Sequence, residues 1–385
     1  SAPTCSNKSG AAVSSGSPEM KHCRANSSLG FARSAGARPA VRDRPLRSER
    51  ESHYDPWLAR DRAGTLYAVW LAFDGRGEAN QQIALVTSRD AGDTWSAPRA
   101  VHDPADCADG ARDCLDKPMI AIGPAPGARG GERVYVLYAA ADGLRVRSSR
   151  DGGATFTPAV TALAGIYGNP AIDRAGALHL VTLRGGPRGG LGAHGQAVEY
   201  TVSTDGGAHF RAPVEVSAPD EVVPFYFANP AIAVDDARGR IYVAYLRVAD
   251  GATWDLIVAV STDGGARWTR TRLADDPACA LHLVPQLALD PRTGEVHLAW
   301  YDSHAGGRFA HAVCGPDGAC AERGAINDLP FAALSTERHG AKWLGEYEAL
   351  IVDDRRRVLH AVWTQPLATP AGPIARVRHA QAALR

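Results

Sequence analysis

Six short segments of the chain open, five of them at or next to a proline, on residues that can do polar chemistry: DPWLARD (55–61), KPMIAIG (117–123), NPAIDRA (169–175), NPAIAVD (229–235), VPQLALD (284–290) and GEYEALIVD (345–353). At or just before these openings stand Tyr54, Asp55, Asp116, Lys117, Asn169, Asn229, His282, Gln286, Glu346 and Tyr347, with Glu348 one residue further on. Carboxylates and amides brought together in this way could hydrogen-bond a sugar, pair as general acid and base, or hold a hard cation such as Ca²⁺ through oxygen. His53 and His282 lie beside two openings and are the histidines best placed for proton transfer. Trp57, Trp343 and Tyr226 offer aromatic platforms for a sugar face, although ordinary packing between repeats would use them equally well. The same polar set also fits a solvated rim held by an Asp–Lys bridge.

Such residues meet only if the openings converge, and a second repeat says how they do so. Each opening is followed by a short alternating segment rich in Val and aromatics: TLYAVW (65–70), RVYVLY (133–138), ALHLVT (177–182), RIYVAY (240–245), EVHLAW (295–300) and VLHAVW (358–363). These read as half-buried strands, and a proline at the first position of the strand before them costs no ladder bond. In four units a third strand runs into SRDAGDTW (88–95), SRDGGATF (149–156), STDGGAHF (203–210) or STDGGARW (261–268), and then into a fourth strand. The Asp of this octapeptide recurs at 90, 151, 205 and 263, at intervals of 61, 54 and 58 residues. Four strands per unit of that length predict a propeller blade, and six units predict an all-β, six-bladed β-propeller of four-stranded antiparallel blades. In such a ring the inner-strand openings converge on the mouth of the central channel.

Within the octapeptide, Ser and Asp can bond the backbone of a tight turn, Gly supplies positive φ, and the closing aromatic anchors the turn. Equivalent positions of a radial repeat point away from one another, so these four Asp are structural. In the fifth unit CGPDGAC (314–320) replaces the turn, with Asp317 54 residues after Asp263 and two cysteines placed to clip it. The sixth unit ends in RVRHAQAAL (376–384), one strand short. Residues 1–50 read as an extended N-terminal segment that completes this last blade, with PAVRDRPL (39–46) as the candidate strand, and residues 51–385 as the propeller. His179, His297 and His360 fall where other units carry Tyr67, Tyr135 and Tyr242, a packing layer and not a ligand set.

The S-x-D-x-G-x-x-W/F pattern resembles the Asp box of the sialidase-like, or BNR-repeat, propellers over about residues 54–385. That resemblance implies three arginines for a substrate carboxylate, a Tyr nucleophile activated by Glu, and an Asp acid/base. Two of its marks are missing: His53-Tyr54-Asp55-Pro56 stands where the first arginine is expected, and Leu283-Val284-Pro285-Gln286 where the Glu is expected. Tyr347-Glu348-Ala349-Leu350 resembles the family's Tyr segment. Without an arginine clamp a sialic acid loses its bidentate, charge-assisted hydrogen bonds, so a conventional sialidase is not expected.

Composition narrows the partner. Lys plus Arg equals Asp plus Glu at 42 each, so no global field recruits nucleic acid or an anionic membrane, and no apolar run spans a bilayer. A carbohydrate or small polar ligand fits better. Three of the seven cysteines' neighbour pairs, Cys5/Cys23, Cys107/Cys114 and Cys314/Cys320, could close disulfides, leaving Cys279. Together with an opening SAPTCSNKSG that lacks an apolar leader, they fit a secreted or periplasmic mature chain or a trimmed one. The scarcity of lysine suggests a GC-rich bacterial genome. No G-x-S-x-G, H-E-x-x-H or Walker motif occurs, and LRGGPRGGLGAHG (183–195) lies between strands as a loop or lid.

Two functional classes follow. One is a glycan hydrolase with Asp55 or Glu346 as acid/base and Tyr347 or Glu348 assisting. In that class the carboxylate separation sets the stereochemistry. The other is a non-catalytic propeller that presents His53, Tyr54, Asp116, Lys117, Asn169, Asn229, His282, Gln286 and Trp343 to a carbohydrate or protein. Chemistry on a peptide or small molecule is a third option.

Overall fold

The computed structural model describes residues 49–385 except 76–77, 108–110, 128–130, 141–142, 185–196, 225–227, 251–252, 274–280, 304–306, 329–330, 332–346, 368–369 and 371–373. The expectations for the N-terminal strand, the Cys5/Cys23 pair, Cys279, the glycine-rich loop, Tyr226, Trp343 and Glu346 fall outside the described residues.

Six antiparallel sheets follow one another along the chain, each in simple up-and-down order. Blade 1 is β1 (Ser52–Arg60), β2 (Leu66–Asp74), β3 (Ala79–Ser88) and β4 (Arg99–Ala100); blade 2 is β5 (Asp116–Pro124), β6 (Glu132–Ala140), β7 (Gly143–Ser149) and β8 (Val160–Leu163). Blade 3 is β9 (Gly165–Ile172), β10 (Leu178–Arg184), β11 (Ala197–Ser203) and β12 (Val214–Glu215); blade 4 is β13 (Ala231–Asp235), β14 (Arg240–Asp250), β15 (Thr253–Ser261) and β16 (Thr269–Arg272). Blade 5 is β17 (His282–Leu289), β18 (Val296–Asp302), β19 (Arg308–Cys314) and β20 (Cys320–Ala325), and blade 6 is β21 (Ala349–Asp353), β22 (Val358–Leu367) and β23 (Ile374–Ala383). The protein is the all-β, six-bladed propeller that the repeat predicts, with a sixth sheet of three strands among the described residues.

The second strands of blades 1 and 5 carry apolar residues at nearly every position because each is sandwiched between two layers. LYAVWLAFD in β2 and VHLAWYD in β18 are buried on both faces. Their side chains make the interblade clusters: Tyr67, Val69 and Leu71 of blade 1 pack with Ile120, Val136 and Tyr138 of blade 2, and Tyr301 and Phe309 of blade 5 with Leu359 and Trp363 of blade 6.

The octapeptide turns close the hairpin between third and fourth strands. In each of the four, the Ser hydroxyl accepts the N–H of the second glycine-position residue at 2.8–2.9 Å and donates to the Asp carboxylate at 2.7–2.9 Å. That carboxylate in turn accepts the N–H of Thr94, Thr155, His209 or Arg267. The Thr94 hydroxyl and amide, with the Ser88 hydroxyl, hold Asp90 down at about 2. Both of its oxygens accept hydrogen bonds inside the turn, which is a structural task. Gly265, at φ +90°, rests on the Tyr200 ring of the preceding blade, so the turn also locks blade 4 to blade 3. The fifth turn carries instead the Cys314–Cys320 disulfide across paired strand positions, and Cys107–Cys114 forms a second one, both as expected.

Candidate functional site at the channel mouth

Three inner strands carry the same defect. Register slips between Tyr54 and Trp57 in β1, Asp116 and Met119 in β5, and Leu283 and Gln286 in β17. At each bulge the residue before the proline is left-handed: Asp55 at φ +53°, Lys117 at +48° and Val284 at +48°. A non-glycine residue in this region ahead of proline is sterically disfavoured and costs on the order of 1–3 kcal/mol. The bulge re-aims the side chain, as bulges beside functional sites commonly do. In blade 5 it turns Val284 into the apolar core. In blades 1 and 2 it turns Asp55 and Lys117 toward one another, and the Lys117 ammonium lies 3.4 Å from the Asp55 carboxylate. Asp116 supports this geometry by accepting the Lys117 backbone N–H at 2.8 Å.

Beside this pair lies a small pocket, lined in part by Lys117. Its aromatic wall is Trp57, Tyr167 and Tyr347, with the Trp57 and Tyr347 rings edge to face at 6.2 Å. Lys117 Nζ stands 5.3 Å from the Tyr167 ring centre and 5.5 Å from that of Tyr347, so the cation is held between two ring faces as well as by Asp55. The amides of Asn169, Asn229 and Gln286 complete the lining, with Met119 as the apolar element of the wall. Glu348 lies at the floor, buried, and accepts the Tyr301 hydroxyl at 2.7 Å. Burial, and then the Glu348 charge, push the Tyr301 phenol well above its usual range, so it stays a neutral donor.

Of the residues singled out from sequence, Lys117, Asn169, Asn229, Gln286, Tyr347 and Glu348 line one pocket, and Asp55 reaches it through Lys117. Tyr54, His53 and His282 are placed elsewhere. Tyr54 is exposed and stacks on Phe73 at 5.1 Å, and His53 lies 6.2 Å from the Trp70 ring. His282 is buried and stacked on Trp300. The bulges explain this: a strand's simple alternation fails where one extra residue is inserted, so neighbours of an opening do not share its direction. Tyr167 went unnoticed in the sequence, yet it lies two residues before Asn169 on β9 and shares its face. Gly168 between them lies against Leu144, where a side chain would not fit.

A divalent cation does not suit this mouth, because the ammonium beside Asp55 repels a second positive charge. The histidines of the packing layer pair within their own blades: His179 Nδ1 with the Tyr200 hydroxyl at 2.7 Å, His297 with His311 at 3.2 Å, and His360 with His379 at 3.0 Å. Among the described residues no group of three or more His, Cys, Asp or Glu side chains is placed to hold a metal ion.

No protein-family model and no curated protein matches this sequence. Solved structures do. A Dyadobacter fermentans protein of unknown function is 13% identical over 86% of this chain and 95% of its own, with a TM-score of 0.56. The α-L-arabinanase of Penicillium chrysogenum, complexed with arabinobiose, is 17% identical over 86% and 93%, with a TM-score of 0.51. The α-L-arabinofuranosidase of Fusarium graminearum with arabinobiose is 15% identical over 86% and 93%, with a TM-score of 0.53. At these identities the likeness is one of fold, and the chain shares the propeller architecture of these proteins.

Proposed function

We propose that the channel mouth binds a glycan and acts on its glycosidic bond. The observation that carries this reading is the Lys117–Asp55 pair set among three aromatic faces and three amides in one small pocket. Aromatic faces suit the C–H face of a sugar ring, and amides match vicinal hydroxyls with a donor and an acceptor each. Two of the proteins that share the fold carry arabinobiose, which supports a saccharide as the occupant. Asp55 is the carboxylate that exchanges a proton with the scissile oxygen in this reading, with Tyr347, which lines the pocket, assisting. Glu348, fixed by Tyr301, shapes the floor. Glu346, next to Tyr347 in sequence, lies outside the described residues and is kept as a candidate acid/base on sequence alone. The two disulfides support an oxidising compartment, outside the cytoplasm of a bacterial cell. No helix among the described residues is long and apolar enough to cross a membrane.

One observation favours a binding propeller without turnover: both described carboxylates at the mouth are engaged internally, Asp55 by Lys117 and Glu348 by Tyr301. Product release over a panel of neutral and acidic glycans separates the two. Hydrolysis that falls on the order of a hundredfold in Asp55→Asn and Tyr347→Phe, with binding retained, supports the enzyme. Saturable binding without products supports the binding module, and turnover unchanged in both variants removes this site from the reaction.

A further inference from the structure

The crossing from blade 1 to blade 2 runs from β4 to β5 and delivers Lys117 to the mouth. Its first part is fastened to blade 2. The Tyr138 hydroxyl donates to the Asp106 carboxylate at 2.6 Å and accepts the Asp103 N–H at 2.8 Å, and Arg145 lies 3.0 Å from the same carboxylate. Burial, and then the hydrogen bond to Asp106, push the Tyr138 phenol well above its usual range, so it remains a neutral donor there. The last part of the crossing is fastened differently. Gln81, on β3 of blade 1 and only 4% exposed, accepts the Cys114 and Leu115 N–H groups at 2.8 Å each through one side-chain oxygen. The Cys107–Cys114 disulfide ties the same point to the residue next to Asp106. Cys107 and Leu115 are both buried in the cluster between the two blades.

Two residues beyond Leu115 stands Lys117, whose left-handed backbone at φ +48° is of the kind that persists only where its surroundings hold it. On its far side the ladder of β5 with β6 resumes at Met119. On its near side the hold passes through Asp116, which accepts the Lys117 N–H, to Leu115 and Cys114. Blade 5 makes the contrast. There the bulge residue Val284 is held by the apolar core into which its side chain turns. The Lys117 ammonium turns instead toward Asp55 and the pocket, so its backbone depends more on the segment behind it.

We propose that Gln81 and the Cys107–Cys114 disulfide are positioning groups for Lys117, fixing the end of the crossing from which it reaches the mouth. The disulfide then completes a binding site as well as closing a loop. The Gln81 oxygen does the same from blade 1, and its loss would leave the buried Leu115 N–H without this acceptor. Neither group lines the pocket, so each acts on a ligand only through Lys117. They matter to a ligand only on the reading that the mouth takes a glycan, but the placement of Lys117 is measurable with no saccharide present.

Acetylation of the full chain by acetic anhydride, followed by peptide mass spectrometry, tests this. In the wild type Lys117 should react slowly, because its side chain retains 12% of its exposure and its ammonium is enclosed by Asp55, Tyr167 and Tyr347. Cys107→Ala with Cys114→Ala is expected to speed that reaction at least about tenfold, as release of a locally held group does. Gln81→Met keeps the bulk of the side chain, removes its acceptor and leaves the disulfide in place, and it is expected to act in the same direction. Cys314→Ala with Cys320→Ala removes the blade 5 disulfide instead and should leave Lys117 as slow as in the wild type. A variant in which Lys117 stays slow strikes that group from the proposal, and slow reaction in both overturns it. Equal acceleration on loss of the blade 5 disulfide also overturns it, since Lys117 would then report general loosening of the ring. Faster acetylation with unchanged capture on immobilised neutral and acidic glycans counts against the glycan reading and leaves the positioning groups standing.

Discussion

Asp55 and Lys117 occupy the same left-handed position ahead of proline in neighbouring blades and meet across the seam at 3.4 Å. A strained backbone at each end of one ion pair makes the contact depend on both bulges. The side chains retain only 19% and 12% of their exposure, so the pair is screened less than a surface bridge. Removing one partner leaves a partly desolvated charge, and removing both does not. Lys117→Met and Asp55→Asn are each expected to lower stability by on the order of 1–2 kcal/mol, and the double variant by less than their sum. Denaturant unfolding of all four proteins checks this, and strict additivity would mean that the two side chains do not act as a pair.

The octapeptide turns predict a contrast between adjacent glycines. Gly264 and Gly265 both have positive φ, at +74° and +90°, but only open space surrounds a Cβ at Gly264 whereas one at Gly265 would overlap the Tyr200 ring. Gly264→Ala is expected to cost about 1–2 kcal/mol from the left-handed backbone alone. Gly265→Ala adds the displacement of a buried ring between blades 3 and 4, a further 1–3 kcal/mol. Equal unfolding midpoints for the two variants would deny the turn its role in joining blades.

Acid sensitivity should centre on His297 and His311. Burial holds His297 down at about 4, and burial with the neighbouring His297 holds His311 at about 3, against an ordinary value of 6.5. Both are depressed in the folded state, so protons bind the unfolded chain more readily. The stability they contribute is full above pH 6.5 and is lost as pH falls through the window from 6.5 toward 4 and 3. Stability measured at pH 7 and pH 5 should differ less in His311→Gln than in the wild type, and an unchanged difference would place the acid response elsewhere.

The ring was legible because one ruler, the recurrence of the octapeptide Asp at 90, 151, 205 and 263, fixes both the unit length and the strand order. The fifth turn could be read from the cysteines that replace it, and they are bonded. The site was legible in part for the same reason: inner-strand openings converge, so Lys117, Asn169, Asn229, Gln286, Tyr347 and Glu348 line one pocket. The errors came from local geometry that a repeat does not encode. A one-residue bulge reverses the direction of its neighbours, so Tyr54 and His282 point away while Asp55 and Lys117 point in. Tyr167 carries no mark of its own and is found only by stepping two residues back from Asn169 along β9.

Tyr301 offers a test of whether the pocket floor is prepared for a ligand or merely packed. Its hydroxyl lies 2.7 Å from Glu348 Oε1 and also accepts the Thr364 N–H at 2.8 Å, joining blades 5 and 6 beneath the pocket. Tyr301→Phe keeps the ring against Phe309 and Phe331 and removes only the oxygen, which leaves Glu348 without this donor in a buried setting. The expected cost in stability is about 1–3 kcal/mol. If Glu348 shapes the glycan site, saccharide affinity should fall in Tyr301→Phe, and Glu348→Gln, which replaces the buried carboxylate with a neutral amide, should restore part of the stability in the double variant. A stability loss with affinity unchanged would make the Tyr301–Glu348 bond a strut between blades and leave recognition to Asp55, Lys117 and the aromatic wall.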